Sequence, residues 1–595
     1  MAEEAAEAES EAPAEGEGAG DQKGAEQKGG GQNAVLKDRF TIFGKKSLPG
    51  YATPLFPAYE AQDRRDTGRP LYALICGNEV PARINAMRNL KGVQSAGLSM
   101  LVEFGSVYWP PAQRKCMAVI YARPPGPRVM NLGQTRMKEA FNEHTFAKQI
   151  ITPLAHALNE LSERGLSHRN IRPDNLFFAD SEHSQVMLGE CVTAPAGYLQ
   201  PTYAETIETG MANPAARGTG GPTHDLYALG ATLLVLATGD VPCRNMTDDE
   251  VVAGKITYGS VGFLDREGRV PLNLVEGIRG LLADSADDRW TVETVQMWLT
   301  GRGGRTGSHS RPPKRAGRVF TFQGTAYQSV RPLAHGFARN PEEAAKVIRD
   351  GSLEVWLRRA MEEGDRADTV RNLVNYREAD AQQNAEAADQ TLVAKVCIVL
   401  DPRAPIRFRQ MGFMPNGVAT ALCVAFMQDK NVNIFLEIVQ RDLTTFWLAT
   451  QADYDPEHSM LDATFKELRN NLRAKTMGYG IERALYEMNE GMPCRSPLVA
   501  RDYVLEITEI LPALDQASQR EDTSFWPVDS HVAAFIGARF SQNLDRQLNA
   551  MSAENKTQRI LGMISLLAMV QWRRGPEAMY GLASWIGGLV QFLLD

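Results

Sequence analysis

The chain has 595 residues, of which 43% are hydrophobic, and this provides enough apolar surface for two or more separate cores. Its 64 basic and 72 acidic residues give a net charge of −8, so no overall positive field favours a nucleic-acid partner. The seven cysteines are scattered without a CxxC pair, which is typical of reduced thiols in a cytoplasmic protein and argues against a disulfide framework or a zinc site.

The N-terminal segment, residues 1–33, is acidic, rich in Ala and Gly, and nearly devoid of large apolar side chains. Such a segment cannot bury enough surface to offset its ordering entropy, so we expect a disordered tail. It has no basic stretch followed by an apolar run, which excludes a signal peptide. The longest apolar stretches, "ILGMISLLAMVQW" and "MYGLASWIGGLVQFLL", are shorter than the roughly 20 residues that a membrane-spanning helix needs. We therefore expect no membrane association.

Between residue 34 and about residue 130, short β-type segments alternate with Pro and Gly turns. The clearest predicted strands are rich in Tyr, Val and Ile and occupy residues 70–76, 100–109 and 116–122. From about residue 136 the pattern changes to a helical period.

The first long predicted helix occupies residues 145–165, where apolar side chains recur on one face, and Pro153 should bend it or loosen one turn. A second segment is apolar on every side from Leu226 to Ala237, which is typical of a helix buried inside a large domain. Residues 281–299 predict two more helices joined by an acidic turn.

Residues 301–318, "GRGGRTGSHSRPPKRAGR", have the composition of a linker. It is either a solvated flexible hinge, or its six basic side chains attract the acidic tail, an acidic partner or RNA. The remaining residues, 319–595, predict a mostly helical C-terminal domain. Phe320 and Phe322 fit a strand packed on a core, and Trp356 is either a core aromatic or an anchor for a partner.

Four motifs follow one another in the first half of the chain: "HRNIRPDN" (168–175), "LGECV" (188–192), "DLYALG" (225–230) and "DDRW" (287–290). Together with the preceding strands and helix, they resemble the protein kinase fold, and more closely the bacterial eukaryotic-like serine/threonine kinases. The resemblance covers roughly residues 40–300. It implies an α+β fold with two lobes, and the motifs suggest the following division. A β-rich N-lobe spans residues 34–125, a helical C-lobe spans residues 126–300, and the mostly α-helical domain follows.

The first motif is similar to the catalytic loop H-R-D-x-K-x-x-N of that family. The resemblance aligns His168, Arg169 and Asn175 with conserved family positions, and it places Arg172 where the family has Lys. Asn170 stands at the position of the Asp that accepts the proton of the substrate hydroxyl. An amide cannot take a proton near neutral pH, and loss of a general base typically costs roughly 10²–10⁴ in rate.

The second motif stands where the family has the metal-binding D-F-G. In the register that also aligns Leu188 and Gly189, Glu190 replaces the Asp. A glutamate still offers oxygens to magnesium, and Asn175 is the other ligand that the resemblance implies, but the longer side chain fits the tight octahedral geometry less well. A shift by one residue would place Gly189 there and leave no ligand.

Two further elements that hold ATP in the family are missing from the sequence. No GxGxxG precedes the predicted strand at 70–76, and Ile75 or Cys76 stands at the point where that strand normally carries a lysine. The helix that should pair with such a lysine, "ARINAMRNLKG", contains no glutamate. Lys91 or Lys115 could substitute from elsewhere.

The residues that stabilise the C-lobe of the family are retained. Asp225 matches the aspartate that caps the catalytic loop from below, with Gly230 at the family's spacing. Arg289 resembles the arginine that pairs with the glutamate of an A-P-E motif. No A-P-E is present, and Glu205 in "QPTYAE" is the nearest candidate partner.

Four positions that serve phosphoryl transfer depart from the family together, and this favours loss of the reaction. The sequence therefore predicts a cytoplasmic pseudokinase, a scaffold or allosteric regulator that acts through protein partners, with weak or absent binding of ATP and magnesium. The alternatives are an active, non-standard serine/threonine kinase that uses Arg172, Asn175 and Glu190, and a sensor that binds a nucleotide without turnover. The identity of the partners leaves no trace in the sequence.

Overall fold

The computed structural model describes residues 32–137, 141–302, 314–376, 384–452, 455–575 and 577–594. The predicted tail lies outside the described residues except for its last two positions, and residues 303–313 of the predicted linker also lie outside them. The described chain forms a small sheet-rich lobe, a larger helical lobe and a helical C-terminal region. This α+β, two-lobed arrangement with a helical region after it confirms the fold class predicted from the sequence.

The small lobe is a six-stranded antiparallel sheet with one short helix. Because side chains alternate between the faces of a strand, Tyr72, Leu74 and Cys76 join the core between the lobes, whereas Ala73 and Ile75 join a separate core on the outer face. The three predicted strands are present as β4, β5 and β6 of the following set. The elements are β1 (Asn33–Leu36), β2 (Phe40–Ser47), β3 (Ala58–Asp63), β4 (Leu71–Cys76), α1 (Ile84–Leu90), β5 (Leu101–Trp109) and β6 (Arg114–Ala122), and the strand order is β1-β2-β3-β4-β6-β5.

The large lobe surrounds the helix Pro222–Thr238, in which every residue from Leu226 to Ala237 is buried. A methyl group at Gly230 would lie 2.7 Å from Cβ of Leu281, so this glycine lets a neighbouring helix pack closely. The disturbance predicted at Pro153 is present as a loosened, π-helical turn that ends just before Thr152. The elements are α2 (Glu143–Phe146), α3 (Thr152–Glu163), β7 (Leu176–Phe178), β8 (Val186–Leu188), α4 (Ile207–Gly210), α5 (Pro222–Thr238), α6 (Asp248–Tyr258), α7 (Ser260–Leu264), α8 (Leu272–Leu281) and α9 (Val292–Leu299).

The C-terminal region is mostly helical, as predicted, with two short hairpins. Trp356 is a core aromatic and not a surface anchor, because its ring lies 5.4 Å from that of Phe320 and its Nε1 donates to the carbonyl of Arg318 at 2.7 Å. The first elements are β9 (Phe320–Phe322), β10 (Thr325–Tyr327), α10 (Val330–Arg339), α11 (Pro341–Arg349), α12 (Ser352–Arg359), α13 (Gly364–Asn375), α14 (Ala385–Leu400), β11 (Ile406–Phe408) and β12 (Met411–Phe413). The later ones are α15 (Val418–Met427), α16 (Asn433–Gln440), α17 (Leu443–Ala449), α18 (Pro456–Arg473), α19 (Ile481–Glu487), α20 (Ile507–Ala517), α21 (Ser530–Arg539), α22 (Asp545–Met551), α23 (Lys556–Arg574) and α24 (Tyr580–Leu594). Among the helices of the described ranges, none combines the length and the apolar character needed to cross a bilayer.

Candidate functional site

The loop 168–175 lies at the junction of the two lobes and is anchored from below by Asp225, in the first turn of α5. Oδ2 of Asp225 accepts a hydrogen bond from the N–H of His168 at 2.6 Å, and Oδ1 accepts one from the N–H of Arg169 at 2.8 Å. Burial raises the pKa of Asp225 and lowers the pKa of His168 to about 3, so this imidazole is neutral. The Nε2 atom of this neutral ring lies 3.3 Å from the carbonyl oxygen of Gly189. Asp225 and Gly189 thus both hold the start of the loop in place.

Arg169 and Glu205 form a fully buried ion pair, with 3.0 Å between Nη2 and Oε2. Burial opposes ionisation of Glu205, but Arg169 and Arg217 outweigh it and hold the pKa of this carboxyl below its usual range. The pairing of Glu205 with Arg289 suggested by the sequence is therefore wrong. Arg289 instead donates to main-chain carbonyls, among them that of Thr223 at 3.0 Å.

The amide of Asn170 joins two charged side chains. Its Nδ2 donates to the main-chain oxygen of Glu190 at 3.0 Å and to the carboxylate Oε1 of Glu190 at 3.1 Å. Its Oδ1 accepts from Nε of Arg172 at 3.0 Å. A carboxylate at this position could not donate to Glu190 and would face it with like charge. The amide is therefore the group that this arrangement requires.

The carboxylate of Glu190 is buried and is surrounded by donors of the protein. Its Oε2 accepts from the N–H of Val192 at 3.1 Å, and from the N–H and the hydroxyl of Thr193 at 3.0 and 2.8 Å. Nδ2 of Asn175 donates to the main-chain oxygen of Glu190 at 2.8 Å. The structure thus places Glu190 beside Asn175. Gly189 has a packing role, because a methyl group at this position would lie 2.2 Å from Oδ1 of Asn175 and would separate the two segments.

These residues do not fit a magnesium ion in the manner that the resemblance implies. Magnesium needs oxygens at about 2.0–2.1 Å in a near-octahedral array. Both oxygens of Glu190 already accept hydrogen bonds, and the amide nitrogen of Asn175 faces the main-chain oxygen of Glu190. Within the described residues, no group of three or more His, Cys, Asp or Glu side chains is positioned to hold a metal ion.

The small lobe reaches this site through Arg83, directly before α1, a residue that the sequence motifs missed. Its guanidinium donates to the carbonyls of Ser167, His168 and Cys191 at 2.7, 2.9 and 2.8 Å. Its main-chain N–H donates to the carbonyl of Val192 at 2.9 Å. A single arginine therefore connects the helix of the small lobe to the 168–175 loop and to the segment after Glu190.

Aromatic side chains fill the cleft between the lobes. The ring of Tyr51, in the 3₁₀ turn Pro49–Tyr51 between β2 and β3, stacks on that of Phe177 with centroids 5.6 Å apart and an interplanar angle of 9°. It also lies 5.0 Å from the ring of Tyr72, which in turn stacks on Tyr121 at 5.5 Å. Tyr72, Tyr121 and Phe177 are all buried. The turn that stands where the resemblance expects a glycine-rich loop thus places a ring inside the cleft.

Arg128 fastens this turn across the cleft. Its Nε and Nη2 donate to the carbonyls of Gly50 and Ala52 at 3.0 and 2.6 Å, and its Nη1 donates to the carbonyl of Asp174 in the large lobe. The guanidinium lies 4.8 Å from the ring centroid of Phe177. One side chain therefore ties the Tyr51 turn to the loop that carries Asn170.

Within the part of the chain that the structure describes, neither of the two candidate positions carries a lysine, and Lys91 and Lys115 have other partners. Of the two candidate positions, Cys76 faces the core between the lobes, and Ile75 faces the opposite side of the sheet. Lys91 pairs with Glu103 at 2.7 Å and is exposed, and the N–H of Lys115 at the start of β6 bonds to the C-terminal region. The Glu190 carboxylate accepts its hydrogen bonds from amide and hydroxyl groups of Asn170, Val192 and Thr193.

No family model matches the chain. Ribosomal protein S6 kinase alpha-4 of Mus musculus is 26% identical over 217 residues, which are 33% of this chain and 27% of that protein. Serine/threonine-protein kinase D of Synechocystis sp. is 28% identical over 112 residues, which are 18% of this chain and 22% of that protein. The chain thus spans about a quarter of the length of these curated relatives.

Two solved structures are also similar to the chain. Rad53 1-466 in complex with AMP-PNP is 15% identical, with a TM-score of 0.33, and the match covers 45% of this chain and 66% of that one. The autoinhibited serine kinase domain of the giant muscle protein titin is 14% identical, with a TM-score of 0.34, and the match covers 47% of this chain and 85% of that one. The matched curated relatives are protein kinases, one of them bacterial.

Proposed function

We propose that this chain is a pseudokinase that acts as a scaffold or an allosteric regulator through contacts with other proteins, without binding or turning over a nucleotide. The similarity to serine/threonine protein kinases supports the kinase-like part of this proposal. The side chains of the cleft support the rest.

The observation that carries the proposal is the position of Tyr51. Its ring stacks on Phe177 between the lobes, and Arg128 holds the turn on both sides of the ring by donating to Gly50 and Ala52. A flat ligand that stacked on Phe177 from this side would have to displace the tyrosine ring or the whole turn that carries it. Each hydrogen bond from a charged donor contributes about 1.5–3 kcal/mol, so displacing the turn from Arg128 would cost a nucleotide several kcal/mol.

Around the loop 168–175, the polar side chains are engaged with one another. Asn170 donates to the carboxylate of Glu190 and leaves no proton acceptor at the position of the general base. The other oxygen of that carboxylate, Oε2, accepts from N–H and O–H groups of Val192 and Thr193. These polar groups therefore bond to one another without a ligand, which supports a structural role. Metal-assisted phosphoryl transfer would instead need carboxylate oxygens available to a metal ion.

The test of nucleotide binding is thermal unfolding of the full chain with and without ATP, in magnesium and in manganese. A ligand present at 100 times its Kd stabilises the folded state by about 2.7 kcal/mol, so binding would be visible as a higher Tm. We expect no shift. A reproducible rise in Tm with ATP would contradict the proposal.

A matched pair of variants tests whether the tyrosine ring is packed in the cleft. Tyr51→Ala should lower the free energy of unfolding by about 2 kcal/mol, because it removes a half-buried ring from an aromatic stack. Tyr108→Ala removes a ring that is 54% exposed and should change it by less than about 0.5 kcal/mol. Equal effects of the two variants would mean that Tyr51 does not occupy the cleft.

The test of turnover is label transfer from ATP to the chain itself and to a general protein substrate. We expect none. Transfer that is abolished by Glu190→Ala and by Asn175→Ala would establish the alternative, an active non-standard kinase that uses Arg172, Asn175 and Glu190.

A further inference from the structure

The C-terminal region meets the large lobe along a seam formed by residues 211–218 of the large lobe and residues 411–417 of the C-terminal region. Asn213 bonds reciprocally to Gly412: its N–H donates to the glycine carbonyl at 2.9 Å, and its Oδ1 accepts from the glycine N–H at 2.8 Å. The N–H of Met414 donates to the carbonyl of Ala216 at 2.9 Å. Three directed hydrogen bonds thus fix the register of the seam.

Glycines bring the two backbones of the seam into direct contact. A methyl group at Gly412 would lie 2.2 Å from the main-chain oxygen of Met211, and one at Gly417 would lie 2.2 Å from that of Ala216. Both distances are far below van der Waals contact, and the opposing atoms belong to the backbone and cannot rotate away. The close approach of the two backbones therefore depends on glycine at positions 412 and 417.

The seam is continuous with the candidate site. Arg217 lies inside it, is buried, and donates to the carbonyl of Gly197 at 2.8 Å and to the hydroxyl of Thr202 at 3.0 Å. It also lies 3.7 Å from the carboxylate of Glu205, which pairs with Arg169 of the 168–175 loop. A displacement of the seam would reach that loop through these two ion pairs.

The same C-terminal region also contacts the small lobe. A methyl group at Gly491 would lie 2.3 Å from the main-chain oxygen of Ala82, one residue before Arg83, and the N–H of Lys115 in β6 donates to the carbonyl of Arg501 at 2.8 Å. The side chain of Tyr503 is buried in the core that the two lobes share.

Arg88 of α1 adds ion pairs with Glu490 and Glu506, at 2.9 and 2.8 Å. These three side chains are about half exposed, so the pairs are screened by solvent and contribute little beyond orientation. The close contact at Gly491, the hydrogen bond between Lys115 and Arg501, and the buried Tyr503 are the parts of this interface that hold the small lobe.

We propose that the C-terminal region is an internal clamp, which grips both lobes and fixes the angle between them without any ligand in the cleft. This goes beyond the proposed function, because it states how the shape that a partner would recognise is maintained. In a two-lobed protein without such a clamp, the lobes are free to reorient about their connection. Here a partner meets lobes whose relative position is set by residues 411–417 on one side and 491–503 on the other.

The experiment is hydrogen exchange on the full chain, in which opening the seam is expected to loosen the small lobe. Gly412→Ala forces a methyl group against the carbonyl of Met211, whereas the control Gly587→Ala adds one where nothing lies within 4 Å. Exchange in residues 211–218 and in α1 should become about tenfold faster in Gly412→Ala, while exchange in the buried helix α5 stays slow. The control should match the wild-type chain.

A second pair of variants approaches the seam from the large lobe, in case Gly412→Ala fails to fold. Asn213→Ala removes the acceptor for the N–H of Gly412, and Asn213→Asp keeps it. Faster exchange in α1 with the alanine and not with the aspartate supports the clamp. Faster exchange in residues 211–218 with unchanged exchange in α1, or no change in either segment, would overturn it. A negative result in the exchange experiments would refute the clamp but not the proposal that Tyr51 excludes a nucleotide from the cleft. Conversely, ATP binding by the wild-type chain would refute the exclusion of nucleotides but not the clamp.

Discussion

Replacing Asn170 with aspartate would restore the carboxylate that the resemblance to protein kinases expects, and the structure predicts that this destabilises the protein without creating activity. The new carboxylate loses the hydrogen bonds that Nδ2 donates to the main-chain oxygen and to Oε1 of Glu190, at 3.0 and 3.1 Å. It then faces the Glu190 carboxylate as a like charge.

The magnitude follows from these distances. Loss of the hydrogen bond to Oε1 of Glu190 costs about 1–3 kcal/mol because it leaves a buried acceptor unsatisfied, and loss of the bond to the main-chain oxygen costs about 0.5–1.5 kcal/mol, since Asn175 still donates to that oxygen. Two like charges about 3 Å apart repel by about 5 kcal/mol at an effective dielectric constant of 20. The stronger attraction to Arg172, whose Nε lies 3.0 Å from Oδ1 of Asn170, offsets much of this repulsion. We therefore expect Asn170→Asp to lower the free energy of unfolding at pH 7 by about 3–5 kcal/mol.

The assay is urea unfolding of the full chain at pH 7 and at pH 5. One of the two carboxyls in Asn170→Asp should bind a proton between these pH values, because close like charges raise the pKa of one member of a pair. The loss of stability should therefore be smaller at pH 5. The double variant Asn170→Asp with Glu190→Gln exchanges donor and acceptor, and it should recover about half of the loss, since Val192 and Thr193 can still donate to the amide oxygen. A single variant as stable as the wild type at both pH values, or one that transfers phosphate, would refute this reasoning.

Two further predictions concern the buried ion pair and the C-terminal core. The pKa of Glu205 is lowered in the folded state, so its pair with Arg169 contributes stability at neutral pH that is lost as the pH falls through that lowered pKa, below about pH 4. Glu205→Gln should lower the free energy of unfolding by about 3–5 kcal/mol at pH 7, because Arg169 remains buried without its partner. In acid titrations the difference in stability between this variant and the wild type should shrink below about pH 4. A constant difference down to about pH 2 would contradict the pairing. Trp356→Ala should lower the free energy of unfolding by about 3–5 kcal/mol, measured by urea unfolding, whereas Val355→Ala, at a side chain that is 50% exposed, should have little effect; equal losses would mean that Trp356 is not in the core.

The local features of the chain could be predicted from the sequence because each depends on residues that are neighbours along it. A high content of Tyr, Val and Ile between turn residues indicated the three strands, and the unbroken apolar run indicated the buried helix α5. The resemblance of two motifs to the catalytic loop and the D-F-G of protein kinases implied that Asn170, Asn175 and Glu190 share one site, and the structure brings them into contact. The identity of an amide at Asn170 is a property of the sequence alone.

What the amide does was decided by tertiary structure, because its partner Glu190 belongs to a different segment, 20 positions along the chain, that only the fold brings within hydrogen-bond distance. Nothing local marks Tyr51 or Arg128 as neighbours of Phe177, or Arg83 as a donor to the 168–175 loop, since these contacts join residues that are between about 50 and 125 positions apart. The pairing of Glu205 was mistaken for the same reason: charge and spacing suggest a partner, but only the packing within the large lobe decides which buried arginine reaches the carboxylate. The sequence by itself determined which chemical groups are present, and the fold decided which of them form hydrogen bonds and ion pairs with one another. The reason is that these interactions depend on distances of a few ångströms in space and not on separation along the chain.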